Sequence, residues 1–237
     1  METIFTNARI ITADEDFDGT VVIANGKITN VERGKSTTAN AEDLDGDYLI
    51  PGLVDLHTDA LEKQMMPRPH VTWNTTAATI AHDALTTTAG MTTVFESLGV
   101  GASVAHPERN ETLKPMIESL HNSQKKELLR GEHFVHLRCE ITNPMVMELF
   151  HQVIDHPLIH FISVNDHSPG HRQYPDMDYY RKKHMKNYSL NEAEMDTFVE
   201  DLLEQSQKFG PQRRAEILEA GRKKNIPAAS HDDRTAE

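Results

Sequence analysis

Residues 49–59 read Leu-Ile-Pro-Gly-Leu-Val-Asp-Leu-His-Thr-Asp, an apolar stretch that runs directly into a His-x-Asp pair. Residues two apart on a strand point to the same face of a sheet, so His57 and Asp59 should converge on one point. An imidazole and a carboxylate at one point are suitable ligands for a divalent metal ion. Because His and Asp at strand ends are also common surface residues, the pair alone leaves both interpretations open.

The pattern after Pro51-Gly52 alternates strand and helix five times. Predicted strands cover 53–57, 92–96, 134–141, 158–164 and 226–231. Predicted helices cover 75–89, 111–130, 144–154, 191–209 and 211–224. The apolar spacing predicts the buried faces of the first two helices: Ala77, Ile80, Ala81, Ala84 and Leu85 in the first, and Leu113, Met116, Ile117, Leu120 and Leu128 in the second. A repeating βα pattern implies a parallel sheet covered by helices, either doubly wound or a (β/α)8 barrel.

The strand 134–141 favours the barrel, because its apolar and polar residues alternate. The apolar set is Val135, Leu137, Cys139 and Ile141, and the polar set is His136, Arg138 and Glu140. Open parallel sheets are usually apolar on both faces, whereas a polar face suits a barrel interior near an active site. The phosphate-binding motifs of nucleotide folds are absent from the sequence. The predicted fold class is α/β, a TIM-type (β/α)8 barrel, incomplete, with about five of eight strands.

The domain organisation is predicted as a small N-terminal β unit, 1–50, followed by the partial barrel, 51–237. In the first unit, residues 3–11 are strand-like. The Asn25-Gly26 dipeptide between two apolar runs is a strong hairpin signal, since both central residues need positive φ.

Composition narrows the functional class. The formal net charge is −13, from 24 Lys and Arg against 37 Asp and Glu. This charge disfavours a general nucleic-acid binder. No basic, apolar leader and no apolar run of about 18 residues are seen, so neither secretion nor membrane spanning is expected. The lone cysteine, Cys139, fits a reducing compartment and a buried packing role, and the predicted location is the cytoplasm.

Candidate metal ligands recur at the ends of the predicted strands, where barrel active sites lie. They are His57, Asp59, Glu140, His167 and His231. Glu140 has two oxygens and could bridge two ions, and zinc, manganese or iron would suit the set. His167 beside a Ser-Pro-Gly turn and His231 in an acidic terminal segment could instead be solvated. His82 is interpreted as a core or surface residue. The histidines without a strand-end position are interpreted as surface residues: His106, His121, His133, His151, His156, His160 and His184.

Two long loops supply candidate substrate-binding cations. Lys63 and Arg68 follow the His-x-Asp pair, and Arg172 lies in the segment after the fourth predicted strand. Long loops in compact domains are commonly functional. Arginines could hold phosphoryl oxygens through two parallel hydrogen bonds. As isolated residues, both arginines could equally be ordinary surface side chains.

Several segments together resemble a known family. They are His57-Thr58-Asp59-Ala60-Leu61-Glu62-Lys63, Pro67-Arg68-Pro69, Ala81-His82-Asp83-Ala84, Gly90-Met91-Thr92-Thr93-Val94-Phe95, Leu137-Arg138-Cys139-Glu140 and Ser230-His231-Asp232-Asp233. These segments, spread over essentially the whole chain, are similar to the α-D-ribose 1-methylphosphonate 5-triphosphate diphosphatases of the C-P lyase pathway, in the amidohydrolase superfamily. The resemblance implies a phosphorus-anhydride hydrolase (EC 3.6.1 type) of phosphonate catabolism that releases pyrophosphate and leaves the ribosyl 5-phosphate.

The chain departs from that family at its C-terminal side. A full barrel needs about 250 residues, and fewer follow position 50. The expectation is a truncated copy without the last three strands and without the Asp that the superfamily presents on its last strand.

The hypothesis for the intact site is attack by a metal-bound water whose pKa falls from 15.7 toward about 7. Glu140 and His231 are the predicted catalytic residues. Asp232 and Asp233 would orient the metal ligands by hydrogen bonding to them, without contacting the ion. The expected partner is a phosphorylated ribosyl phosphonate substrate, and assembly into a homo-oligomer stays open. Two alternatives remain: hydrolysis of an amide or cyclic amide, and a non-catalytic remnant that acts as a binding or assembly partner.

Overall fold

The computed structural model describes residues 2–68, 71–101, 108–170 and 172–231. The chain divides into two compact units, Met1–Leu53 and Val54–Glu237. Within the described ranges, no helix combines the length and the apolarity needed to cross a bilayer.

The N-terminal unit is a five-stranded sheet. Its strands are β1 (Glu2–Ile11), β2 (Asp16–Ala24), β3 (Lys27–Arg33), β4 (Glu42–Asp43) and β5 (Tyr48–Leu49). The order is β3-β2-β1-β4, and β5 also pairs with β1. Asn25 and Gly26 adopt φ of 52° and 74° between β2 and β3, so the predicted Asn-Gly turn is present. Ala8, Ile10, Phe17 and Val21 form the small core of this unit.

The second unit contains the βα repeats. Its strands are β6 (Leu53–Thr58), β7 (Met91–Val100), β8 (Glu132–Glu140), β9 (Ile159–Asn165) and β10 (Ala228–Ser230). Its helices are α1 (Ala60–Met65), α2 (Thr75–Thr88), α3 (Glu108–Lys125), α4 (Val146–Val153), α5 (Met177–Tyr188), α6 (Glu192–Glu204) and α7 (Gly210–Lys223). Residues Gln205–Phe209 form a π-helical turn between α6 and α7.

The strand order in this sheet is β10-β9-β8-β7-β6, which follows the chain without reversal. The pairings β7–β8, β8–β9 and β9–β10 are parallel. A doubly wound sheet would reverse its order at a switch point, whereas a barrel winds in one direction. The prediction of an incomplete (β/α)8 barrel is therefore confirmed.

The core of the second unit lies between the sheet and its covering helices. Leu137, Cys139 and Ile162 from β8 and β9 are fully buried. The predicted α3 residues Leu113, Met116, Ile117 and Leu120 pack into the same cluster. Cys139 has the buried packing role that the sequence predicted.

The predicted buried face of α2 is wrong. Ile80 and Leu85 are 39% and 58% exposed. The face that packs inward instead carries four polar residues, Thr79, His82, Asp83 and Thr86, beside Ala78. The reason is a set of buried hydrogen bonds, including one between the Thr79 hydroxyl and the Ser119 hydroxyl at 3.0 Å. These polar contacts outweigh the apolar spacing that predicted the opposite face.

Other differences concern helix ends. α3 ends at Lys125 rather than near 130, because Glu127 adopts a left-handed φ of 56°. Leu128 consequently lies outside the helix and is 41% exposed. Helices α1 and α5 were not predicted from the sequence. The mean hydropathy of α5 is low, and its two buried residues, Tyr180 and His184, gave no apolar stripe.

The N-terminal cap of α6 gives a stability prediction. The Asn191 side chain accepts from the backbone N–H of Glu194 at 3.0 Å, and the Glu194 carboxylate accepts from the backbone N–H of Asn191 at 2.8 Å. Losing such a cap typically costs about 1 kcal/mol. We expect Asn191→Ala to lower the free energy of unfolding by this amount in urea titrations. The exposed Glu200→Ala on the same helix should change it by less than about 0.5 kcal/mol. Equal effects of the two substitutions would contradict the capping assignment.

Candidate metal centre

The His-x-Asp pair at the end of β6 is formed as predicted. The His57 Nε2 and Asp59 Oδ1 atoms are 3.7 Å apart, and both side chains are partly exposed. Asp59 also accepts a hydrogen bond from Arg138 Nη1 at 2.5 Å. Arg138 belongs to the polar face of β8, so this ion pair ties the two strand ends together. Asp59 therefore has a cationic partner in the chain itself.

A second pair forms between the ends of β8 and β9. The parallel register places Glu140 opposite Asn165, two residues before His167. Glu140 Oε2 is in short hydrogen-bond contact with His167 Nδ1. Glu140 Oε1 accepts from the Thr142 hydroxyl at 2.6 Å. The carboxylate is thus fixed on both of its oxygens.

His231, just after β10, connects the two pairs. Its ring stacks on that of His57, with centroids 5.3 Å apart, and meets the His167 ring edge-on at 5.9 Å. We call these five residues the strand-end row; along it they lie in the order Asp59, His57, His231, His167 and Glu140. The row joins the ends of four strands, β6, β8, β9 and β10, as the parallel topology predicts.

The ligand atoms of the strand-end row are not drawn to one point. Within the described ranges, one group of three His, Asp, Glu or Cys ligand atoms lies within a mutual 4.8 Å, and it is a different group: His82, Glu96 and His133. The structure therefore brings the five residues into one row without bringing their ligand atoms to a common point.

The three cationic residues proposed to bind substrate differ in their exposure and contacts. Lys63 on α1 and Arg68 are exposed. Arg172 has a left-handed φ of 42° and donates to the His231 carbonyl at 2.9 Å and the Ser230 hydroxyl at 3.1 Å. Arg172 therefore contacts the end of β10 directly. Asp232 and Asp233 lie outside the described residues.

His136, to which the sequence pattern assigned no role, lies beside the strand-end row. It is 2% exposed on β8, and its ring meets that of His57 at 5.1 Å. Its Nδ1 is 3.1 Å from the Leu56 carbonyl oxygen. Because a carbonyl can only accept, Nδ1 carries the proton and Nε2 carries a lone pair. That buried Nε2 has no hydrogen-bond partner.

Burial lowers the pKa of His136 to about 4; the Leu56 carbonyl opposes this shift, and His57, Arg138 and His231 add to it. The imidazole is therefore neutral near physiological pH, and its lone pair is available to a ligand. The alternation along the strand could have identified His136 as a site residue, since it places the ring on the same polar face of β8 as Arg138 and Glu140.

A cavity of about 290 Å³ adjoins Glu140 and His167. Its polar wall includes Arg138 and Asn165. Its other wall is aromatic: Tyr174, Tyr180, His184, Tyr188 and Phe198. This aromatic wall was not predicted, although residues 180, 184 and 188 recur at the spacing of one helix face. The cavity can enclose a small ligand against the strand-end row.

The loop after β9 is fixed by Asp166. Its carboxylate accepts from the Ser168 hydroxyl at 2.6 Å and the Ser206 hydroxyl at 2.8 Å. Burial alone would raise the pKa of Asp166, but these hydroxyls, the Ser168 backbone N–H and the charge of Arg172 lower it. The charged carboxylate thus anchors the backbone that carries His167.

Among the described residues, two of the histidines interpreted as surface residues are buried, and His106 lies outside the described ranges. His133 is 0% and His184 is 9% exposed. His133 is held by carboxylates, and His184 is held by rings from Tyr174, Tyr180 and Tyr188. Strand-end position alone gave no indication of either environment.

His184 gives a pH prediction. Burial lowers its pKa from 6.5 to about 4, with Lys183 and His167 adding to the shift. The unfolded chain therefore binds more protons in this interval, and the stability present above pH 6.5 is lost as pH falls toward 4. We expect His184→Phe to make the fall in thermal midpoint across this interval shallower than in the parent chain. The exposed His151→Phe is the control and should leave the slope unchanged. An unaltered slope in His184→Phe would refute the assignment.

The chain is 34% identical over 232 residues to alpha-D-ribose 1-methylphosphonate 5-triphosphate diphosphatase of Escherichia coli (strain K12). The match covers 98% of this chain and 61% of the relative. The predicted resemblance is confirmed. The chain spans about three fifths of the length of this relative.

Other similarities are more local or more distant. A 61-residue stretch is 36% identical to dihydroorotase of Trichlorobacter lovleyi (strain ATCC BAA-1151 / DSM 17278 / SZ), covering 24% of this chain and 14% of that one. A D-hydantoinase structure aligns with 97% of this chain and 57% of its own, at 17% identity and a TM-score of 0.47. A 5-methylcytosine deaminase structure from Klebsiella pneumoniae aligns with 96% of this chain and 58% of its own, at 15% identity and a TM-score of 0.47. No family model matches the chain.

Proposed function

We propose that this chain carries the metal-binding half of a phosphorus-anhydride hydrolase that converts α-D-ribose 1-methylphosphonate 5-triphosphate to the 5-phosphate and pyrophosphate. The observation that supports the proposal most strongly is the 34% identity to the diphosphatase along 98% of the chain. The strand-end row and the adjoining cavity lie where a barrel enzyme has its active site. In this proposal the reaction belongs to phosphonate catabolism. A cytoplasmic location and assembly into a homo-oligomer remain predictions.

The side chains of the row fit a divalent ion. They offer imidazole nitrogens and carboxylate oxygens, the ligands typical of zinc, with manganese or iron as alternatives. The Nε2 atom of His136, beside His57, has a lone pair and no hydrogen-bond partner, so it is a further nitrogen that could ligate an ion. In the proposal, His57, Asp59, Glu140, His167 and His231 hold one or two ions. A bound ion would supply a water of lowered pKa, near about 7, as the nucleophile.

The chain's own groups would then position the reactants. In the proposed step, the water oxygen forms a bond to the phosphorus nearest the ribose. The bond from that phosphorus to the bridging oxygen breaks, and pyrophosphate leaves with the electron pair. Glu140 takes the proton of the water. Lys63, Arg68 and Arg172 would face the triphosphate, while Arg138 orients Asp59 and the aromatic wall of the cavity excludes water from the ribose.

The amide-hydrolase alternative rests on the 61-residue match to dihydroorotase. Substrate assays separate the alternatives. The metal-supplemented chain is incubated with the ribosyl triphosphate, with dihydroorotate and with a hydantoin. Release of pyrophosphate from the triphosphate alone is the expected result. Ring opening of either cyclic amide at a higher rate would overturn the proposal, and no turnover of any substrate would favour a non-catalytic role.

A further inference from the structure

A second group of titratable side chains lies where α2 packs on β7 and β8. His82 and Asp83 come from α2, Glu96 from the middle of β7, and His133 from the start of β8. All four residues are at most 1% exposed. They are distinct from the strand-end row, which is built at the other end of β8. We call these four residues the buried cluster.

Glu96 is the centre of the buried cluster. Its Oε1 lies 2.8 Å from His82 Nε2 and 2.7 Å from His133 Nδ1. The second ring nitrogen of His133, Nε2, lies 3.0 Å from Asp83 Oδ1. A metal-binding histidine commonly donates its other N–H to a carboxylate in this way. Asp83 is fixed in turn, because it accepts from the backbone N–H of Gly131 at 2.9 Å.

Hydrogen bonding leaves two buried atoms of the cluster unused. Glu96 Oε2 and His82 Nδ1 have no partner, although their residues are 0% and 1% exposed. Buried polar atoms are nearly always paired, so an unpaired carboxylate oxygen needs an explanation. α2 also turns this polar face inward and leaves Ile80 and Leu85 exposed. Apolar packing alone would have produced the opposite orientation.

The charge of the buried cluster also favours a bound cation. The cluster buries two carboxylates, and buried charges in proteins are paired or coordinate metal ions. With both imidazoles neutral, one divalent cation would neutralise Asp83 and Glu96 together. Two imidazoles and a carboxylate are also a common protein ligand set for zinc.

We propose that His82, Glu96 and His133 form a second divalent-metal site, whose ligands suit zinc, with Asp83 orienting the His133 ring. The site is closed to solvent, so its role is structural: it ties α2 to β7 and β8. The proposal is independent of the proposed hydrolysis, because no residue of the strand-end row takes part.

The test uses the full chain carrying His57→Ala and His231→Ala, which weakens metal binding at the strand-end row. The protein is treated with chelator, loaded with zinc and dialysed. We expect one zinc ion per chain by elemental analysis, and X-ray absorption should show two imidazoles and a nitrogen and oxygen shell at about 2.0–2.1 Å. Absence of a retained ion, or a shell without imidazole, would overturn the proposal.

A further substitution in the same background locates the ion. His133→Gln should abolish zinc retention, whereas the matched control His151→Gln, on an exposed histidine of α4, should retain it. Retention of zinc in a folded His133→Gln protein would overturn the proposal. Should that variant fail to fold, the absorption spectrum of the parent double variant still decides the question.

Discussion

Replacing Glu140 by glutamine should lower the rate of pyrophosphate release by at least about 10²-fold, the range expected when a positioned acid–base group is lost. Glutamine preserves the shape and can still accept from the Thr142 hydroxyl, but it removes the negative charge. The side chain is 13% exposed and in contact with His167, so water cannot easily replace its function. The same change should lower the zinc content of the strand-end row.

The matched control is Glu148→Gln, on an exposed carboxylate of α4. It should leave both pyrophosphate release and zinc content unchanged. Thermal unfolding of the two variants separates a chemical effect from misfolding, because Glu140→Gln should stay folded at the assay temperature. If the Glu140 variant keeps full turnover and full metal content, the role assigned to this carboxylate is wrong.

Replacing Glu96 by alanine should lower the free energy of unfolding by about 3–5 kcal/mol, the cost of removing one partner of a buried charged pair. The change leaves His82 Nε2 and His133 Nδ1 without their shared acceptor. Burial alone would raise the pKa of Glu96, but the hydrogen bonds from His133 and His82 and their charges lower it. Its stabilising contribution is therefore present above its unfolded pKa and is lost as pH falls through the folded value.

Urea titration measures this effect, with Glu132→Ala as the control on the same stretch of chain. Glu132 is exposed at the start of β8, and its loss should cost less than about 0.5 kcal/mol. The titration is made on chelator-treated protein, in which His82 and His133 are the partners of Glu96. A Glu96→Ala protein as stable as the Glu132 variant would show that the buried cluster contributes nothing to folding.

The sequence predicted the features that depend on strand periodicity and parallel topology. Alternation along residues 134–141 indicated a barrel interior, and the strand order confirmed it. The carboxyl ends of parallel strands meet at one edge, so His57, Glu140, His167 and His231 were expected near one another. The Asn25-Gly26 turn was predictable because its chemistry is local.

The rest depended on contacts between distant segments. The buried face of α2 is chosen by Glu96 and His133, which are 14 and 51 residues from His82 and were not linked to it by any pattern. The aromatic wall of the cavity is formed largely by α5, and the low mean hydropathy of this helix gave no apolar pattern from which to predict it. His136 was visible on a polar face, but its orphaned Nε2 follows from the position of the Leu56 carbonyl.

The central claim is that the strand ends hold a metal ion used in hydrolysis. Anomalous X-ray diffraction at the zinc edge, from crystals of the zinc-loaded chain, tests it most directly. The account predicts an anomalous peak bounded by His57, His231, His167 and Glu140. Ordered side chains at these four positions with no anomalous peak between them would contradict it.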